Sequence, residues 1–305
     1  MWNLSTGITR KEDVPLIQPV SLDQLNTSKH IRLFGVSDAK IGKTTHFACS
    51  ALGALPGQEF GLVTDPTCLH ILAFDEGAVE GLMDFLTNAC KRPDCKPTIW
   101  PMYDVCRTAI LNKGGWDYSI YNSIVAVQQE IDKIADANPT KVYAELISSF
   151  TGLGMALKQA LGGEPSKDAK GAGFSIPKWD ALNSQLQCLR ALVHKDNKHV
   201  FWEGHTQEKF VQATEGVKPG TKEETVGVPG GEGRNWAANV KEVCKMMREQ
   251  VKYPGTSIDK VFLHTRPTLD FNSGGRGFNN LAEKEYDLAL MCQKLGKRVG
   301  GYKKP

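Results

Sequence analysis

The chain is 305 residues long, 41% hydrophobic and 23% charged, with a formal net charge of +3. Such a composition fits an ordinary globular protein whose core needs no disulfide staples, and it excludes a uniformly basic nucleic-acid coat; any such surface must be local. No apolar run approaches the ~18–20 residues of a bilayer span. The start, Met1-Trp2-Asn3-Leu4-Ser5-Thr6, has neither the basic stretch nor the apolar core of a signal peptide, so a cytoplasmic location is expected.

Residues 1–28 are polar, carry several prolines and hydroxyl side chains, and predict an N-terminal arm. The run 30–36 (HIRLFGV) is short, apolar and bounded by turn residues, which suits a buried parallel strand. A helix is predicted over 43–55, stopped by Pro56-Gly57, then a strand over 69–74 and a helix over 76–87. The stretch 89–115, rich in Pro, Cys and Gly, reads as an insertion or long crossover. An amphipathic helix over 118–135 carries Ile120, Ile124, Val127, Ile131 and Ile134, followed by a strand at 142–148. Another helix is predicted over 179–194, with Trp179, Leu182, Leu186, Leu189 and Val193 on one face. Then come a strand at 199–203, a helix at 235–252, a strand at 260–265 and a last helix at 281–295. Strands alternating with helices predict an α/β fold with a central, mostly parallel sheet flanked by helices.

Segments 161–177 and 206–234 are rich in Gly, Lys and Glu and are expected to be mobile loops within a core spanning 29–270. Residues 271–305 are expected to form a C-terminal helix and a basic tail. The eight cysteines, at positions 49, 68, 90, 95, 106, 188, 244 and 292, suit free thiols in a reducing compartment; Cys90, Cys95 and Cys106 match no zinc spacing.

The chemistry concentrates at Ser37, Asp38, Ala39, Lys40, Ile41, Gly42, Lys43 and Thr44, followed by Thr45. A strand turning through small residues into a helix aims backbone N–H groups and the helix N-terminus at one point, an anion site. A lysine at the helix start adds a charge for the β- and γ-phosphates, and the next hydroxyl can ligate Mg²⁺. These features predict ATP and Mg²⁺ as cofactors. The usual pattern opens with glycine; Ser37 stands there, with Gly35 two residues earlier.

An ATPase of this kind needs one carboxylate to polarise water and another to hold the metal. Asp75 and Glu76 end the strand after the loop helix; Glu76 is the candidate base and Asp75 its alternative, although acids also suit a helix N-terminal cap. At the end of the 142–148 strand, Ser148 occupies the place expected of a metal-binding Asp and is carried as a metal-site residue with Thr44; Ser149 or a water can complete the Mg²⁺ shell. His205, after the 199–203 strand, is placed to sense a γ-phosphate.

The stretches IRLFGVSDAKIGKTT, ILAFDEGAVEGL, ELISSFTGL, KWDALNSQLQCLRALVHKDNKHVFWEGHTQEKF and VFLHTRPTLDFNSGGRGFNNL together resemble the RecA-like P-loop ATPases encoded by phages, of the single-strand-annealing and recombination-associated type. The resemblance spans about residues 29–290. It implies a RecA-like P-loop NTPase fold, with Lys43 and Thr44 as phosphate and Mg²⁺ residues, Glu76 as catalytic acid and His205 as sensor. It further implies single-stranded DNA as partner, contacted by the loops after Ser148 and His205. Arg276, in the turn Gly274-Gly275-Arg276, would reach a neighbouring subunit's nucleotide in a homo-oligomeric ring or filament, located in the host cytoplasm. Ser37 and Ser148 depart from the pattern and make slow hydrolysis the expectation.

For DNA, the first loop region offers Lys167, Lys170 and Lys178; the second pairs Lys209, Lys218, Lys222 and Arg234 with five glutamates, Glu208, Glu215, Glu223, Glu224 and Glu232. Stacking aromatics are scarce there, with Phe174 and Phe210 alone. Two other readings compete: a nucleotide-binding assembly or structural protein with little turnover, and an ATPase that remodels a protein partner or serves DNA packaging.

Overall fold

The computed structural model describes residues 29–37, 42–111, 116–162, 176–193, 195–210, 222–226, 242–252, 259–264 and 287–303. In chain order the strands are β1 (Arg32–Ser37), β2 (Leu69–Ala73), β3 (Thr98–Pro101), β4 (Ala144–Ser148), β5 (His199–Phe210), β6 (Lys222–Val226), β7 (Glu242–Lys252) and β8 (Asp259–His264). The α-helices are α1 (Lys43–Ala51), α2 (Glu76–Asp84), α3 (Met102–Leu111), α4 (Ser119–Ala137), α5 (Phe150–Ala160), α6 (Ile176–Val193) and α7 (Leu288–Lys294).

The strands form one sheet in the order β3-β2-β4-β5-β1-β7-β8. Every neighbouring pair from β3 to β7 is parallel. β8 closes the far edge antiparallel to β7, and β6 pairs antiparallel with the outer half of β5. Period-two alternation divides the strand residues between two apolar layers. Leu33, Ile71, Leu146 and Phe201 enter one layer with Phe47 and Leu52 of the α1 region, Leu82 of α2 and Leu288 of α7. Their chain neighbours Phe34, Leu72, Ile147 and Trp202 enter the other, with Ile124 of α4, Phe150 of α5 and Leu186 of α6. Trp202 packs edge-on to Phe150 at 5.7 Å, and Phe47 lies 5.5 Å from Phe201. Each such fully buried ring contributes roughly 1.5–3 kcal/mol from apolar burial. This is an α/β fold with a central, mostly parallel sheet between helical layers, the architecture expected of a RecA-like P-loop NTPase.

Several expectations are corrected. The helix expected over 235–252 is instead strand β7 over Glu242–Lys252. β1 is a central strand; with β5 on one side, its other row of N–H and C=O groups needs a partner, and this tertiary demand overrides local helical pattern. The region 206–234 is not one loop, because Thr206–Phe210 pair residue by residue with Lys222–Val226, Lys209 opposite Glu223. Within 89–115 lie β3 and α3; Pro101 is tolerated because β3 is the edge strand. Ser148 leads directly into α5, capped by Ser149, whose Oγ accepts the Gly152 N–H at 3.1 Å. The first loop region is shortened at its end by α6, which begins at Ile176. The N-terminal arm over 1–28 lies outside the described residues.

The C-terminal segment is docked rather than trailing. Gly300 and Tyr302 donate backbone N–H groups to the carbonyls of Leu62 and Val63. A side chain at Gly300 would lie 2.2 Å from the Thr64 nitrogen, so this close approach requires glycine. Tyr302 donates its hydroxyl to Asp94 at 2.9 Å, and Arg298 bonds the Thr140 carbonyl.

Candidate functional site

The site lies at the carboxyl edge of the parallel sheet, at the ends of β1 and β4 and midway along the longer β5, where open α/β sheets hold their ligands. β1 ends at Ser37, and the chain re-enters at Gly42, the N-cap of α1, with φ of 84°. That left-handed conformation is open to glycine at little cost, and a Cβ there would also sit 3.2 Å from Nδ1 of His46. His46 holds the turn by donating both its backbone N–H and its ring Nδ1–H to the Gly42 carbonyl, each at 2.9 Å. Lys43 and Thr44 are therefore the first residues of α1, in the turn whose N–H groups have no carbonyl partner within the helix. Both are buried, at 5% and 8% exposure, and Thr45 is half-buried beside them. Asp38, Ala39, Lys40 and Ile41 lie outside the described residues, and Ser37 is described by its strand backbone, opposite His205.

Three side chains from three elements meet at Thr44. Its hydroxyl donates to Glu203 Oε1 at 2.7 Å and lies 3.3 Å from the Ser148 hydroxyl. Ser148 is 1% exposed, at the end of β4, in the position the sequence assigns to a metal-binding acid. Glu203, 2% exposed, sits on β5 opposite Gly35 of β1, one strand nearer β1 than Ser148. Its second oxygen, Oε2, is buried without a hydrogen-bond partner among the described residues. Burial pushes the Glu203 carboxyl up from its ordinary value, opposed by hydrogen bonds from Thr44 and Ser148 and by the charge of Lys43.

His205 follows two residues later on the same strand and is half-buried. Its backbone N–H donates to Thr151 Oγ1 at 3.1 Å, tying the strand to the start of α5. Burial and then the Lys43 charge lower its pKa and so favour the neutral ring, against the opposing charge of Asp75. Asp75 and Glu76 behave differently from each other. Asp75 caps α2 by accepting the Gly77 N–H at 3.1 Å, and its negative charge is felt by both Glu203 and His205. Glu76 is 53% exposed and paired with Arg107 of α3 at 3.0 Å. Of the two acids, Asp75 is the one coupled to the buried cluster. Arg276 lies outside the described residues.

Glu203 is the residue that sequence reasoning passed over. The signal was present: an acid directly after the buried run Val200, Phe201 and Trp202, in a strand flanked by strands on both sides. A buried carboxylate in such a strand is costly and needs a partner. No group of three or more His, Cys, Asp or Glu residues able to hold a metal exists among the described residues, and the seven described cysteines are free thiols. The donor set near Thr44 suits a hard cation that keeps most of its waters: a hydroxyl, a second hydroxyl and one carboxylate with a vacant lone pair.

No family model matches the sequence, and no curated protein matches it either. Among solved structures, the chain is similar to a prototypical ATPase from the type III secretion system of pathogenic bacteria, at 11% identity over 72% of this chain and 52% of that one, with a TM-score of 0.39. It thus spans about half the length of that ATPase. It is also similar to a KaiC-like protein from the hyperthermophilic archaeon Pyrococcus horikoshii OT3, at 9% identity over 84% and 83% of the two chains, with a TM-score of 0.33. Likenesses this distant carry no functional assignment, so function is read from the site's own geometry. No described helix is long and apolar enough to cross a membrane.

Proposed function

We propose that the chain binds a nucleoside triphosphate, ATP in the first instance, together with Mg²⁺ at the α1 N-terminus, and hydrolyses it slowly. The observation that carries this reading is the buried pair Lys43 and Thr44 at the first turn of α1, behind the left-handed Gly42. The first-turn N–H groups of α1 and the Lys43 ammonium bind the phosphates, and the Thr44 hydroxyl faces the metal. Bound Mg²⁺ neutralises charge on the β- and γ-phosphate oxygens. Asp75 orients the attacking water, with Glu76 free to take that role only by leaving Arg107. His205, neutral and next to Thr151, reports occupancy of the γ-phosphate side to the start of α5.

β5 runs unbroken from Glu203 past His205 into its pairing with β6, so the phosphate site and this hairpin share one strand. That continuity supports the single-stranded DNA role implied by the RecA-like resemblance, in a homo-oligomer to whose neighbouring site Arg276 contributes. The test is nucleotide titration of the unaltered chain and of Lys43→Ala, followed by turnover with and without single-stranded DNA at two salt concentrations. Lys43→Ala is expected to weaken ATP binding about 10- to 100-fold. Unchanged affinity removes the phosphate site. Turnover indifferent to DNA, with stable retention of another protein, moves the assignment to an assembly role.

A further inference from the structure

We infer that Glu203 on β5 is the carboxylate that holds the nucleotide's Mg²⁺, taking from the neighbouring strand the place that Ser148 leaves without an acid at the end of β4. The inference rests on the phosphate-site reading above and deepens it.

The position argues for the metal rather than for the attacking water. Glu203 Oε1 accepts directly from the Thr44 hydroxyl at 2.7 Å, the hydroxyl that faces the metal, and Ser148 closes the same group 3.3 Å from Thr44. A carboxylate one bond from a ligating hydroxyl either accepts from a metal-bound water or orients the hydroxyl that binds the ion. Asp75, the acid on the water side, belongs to a different element and caps α2. The two acids are thus divided between two strand ends: β2 leads to Asp75 and β5 carries Glu203.

Two further observations point to an absent cation. Glu203 Oε2 is buried with no hydrogen-bond partner among the described residues, although the residue is 2% exposed. Glu145 Oε2 shares this state but has the Lys198 ammonium at 3.6 Å; for Glu203 Oε2 a bound cation is the partner its setting calls for. The length of the side chain also fits. β5 lies between β4 and β1, next to the phosphate strand, with Glu203 in register with Gly35. With glycine at that register, no side chain of β1 stands beside the long acid. On β4, a short serine hydroxyl then suffices, because the charge comes from the adjoining strand.

The experiment measures metal dependence of binding, not turnover alone. Affinity for a fluorescent ADP is titrated with and without Mg²⁺, and Mn²⁺ bound with ADP is followed by electron paramagnetic resonance. The proteins are the unaltered chain, Glu203→Gln, Glu203→Asp, the double variant Ser148→Asp/Glu203→Gln, and Lys43→Ala. Glu203→Gln is expected to lower affinity for Mn²⁺ about 10- to 100-fold, as loss of a carboxylate behind a metal ligand does. Nucleotide affinity without metal should stay within about twofold, since the phosphate contacts of α1 are kept. Glu203→Asp keeps the charge and should retain part of the metal response; moving the acid back to β4 in the double variant should restore it. Metal affinity unchanged in Glu203→Gln overturns the inference, as does unchanged metal affinity with lost turnover, which would make Glu203 the water-side base. Absence of nucleotide binding by the unaltered chain, or binding unaffected by Lys43→Ala, instead removes the phosphate site itself and this inference with it.

Discussion

The two ends of the sheet each bury a glutamate, on adjacent strands, and treat it in opposite ways. At the amino end, Glu145 of β4 accepts from Gln128 of α4 and lies 3.6 Å from the Lys198 ammonium, which also pairs with Asp132. At the carboxyl end, Glu203 of β5 accepts from the Thr44 hydroxyl; each glutamate keeps one oxygen, Oε2, without a hydrogen-bond partner among the described residues. Glu145 is pushed up to about 7, chiefly by burial, with Lys198 and Gln128 pulling it back. The difference is in what completes the charge. The amino end brings its own cation from the chain, as a structural ion pair must. The carboxyl end has the anion in place and Lys43 nearby, an arrangement that a phosphate and a divalent ion would fill together.

The largest effect is expected at the self-contained end. Lys198→Met removes the only ammonium bonded to Asp132 and Glu145 among the described contacts, stranding two acids against the core. A buried pair broken from one side costs about 3–5 kcal/mol. Urea unfolding should show it as a lowered midpoint. A loss below about 1 kcal/mol would mean that water already reaches this network, and the contrast between the two ends would fail.

The next effect concerns protons at that same end. His70 on β2 is 2% exposed, its Nδ1 accepts from Trp100 Nε1–H at 3.2 Å, and burial with the Lys198 charge brings its pKa down to about 4. The ordinary value is 6.5, so between pH 6.5 and 4 the unfolded chain binds more protons at this residue than the folded chain. The His70 contribution to stability is complete above pH 6.5 and is lost as pH falls toward 4. In His70→Phe, the stability-against-pH curve should flatten in that window by about one proton, roughly 1.4 kcal/mol per pH unit at most. Parallel curves for the two proteins would show that the amino end admits a further cation after all.

This division between ends was only partly legible in the sequence. The apolar runs that became β1, β2, β4 and the start of β5 could be read because parallel central strands are buried on both faces and cannot be polar. The place of Lys43 and Thr44 at the start of α1 was legible because it is local: strand, turn and helix are adjacent in the chain. β7 was not, since what makes 242–252 a strand is the open side of β1, some 200 residues earlier, and no local pattern carries that demand. Glu203 fell in the same gap. Its residue type was visible, but its meaning depends on register with Gly35 and on the 2.7 Å bond to Thr44, both set by how the crossovers place β5 between β4 and β1. Asp75 and Glu76 show the limit from the other side: adjacent in sequence and alike in charge, they are separated by the direction each side chain takes at the start of α2.

The smallest effect is the most informative, because its sign is opposite to that of Lys198→Met. The Glu203 carboxyl is held above its ordinary value despite two hydroxyl donors and the Lys43 charge, so burial outweighs its partners in the folded chain. A neutral amide of the same shape avoids that penalty, and the Thr44 hydroxyl can accept from it as well as donate. Glu203→Gln should therefore unfold at a urea midpoint equal to or above that of the unaltered chain, a gain of about 1 kcal/mol. Mg²⁺ and ADP should then reverse the order. A ligand that binds the folded state tightly stabilises it in proportion to the logarithm of its affinity, and the unaltered chain binds the metal complex more strongly. A variant that is less stable in the absence of ligand would make Glu203 a structural residue like Glu145, and the two ends of the sheet would be alike.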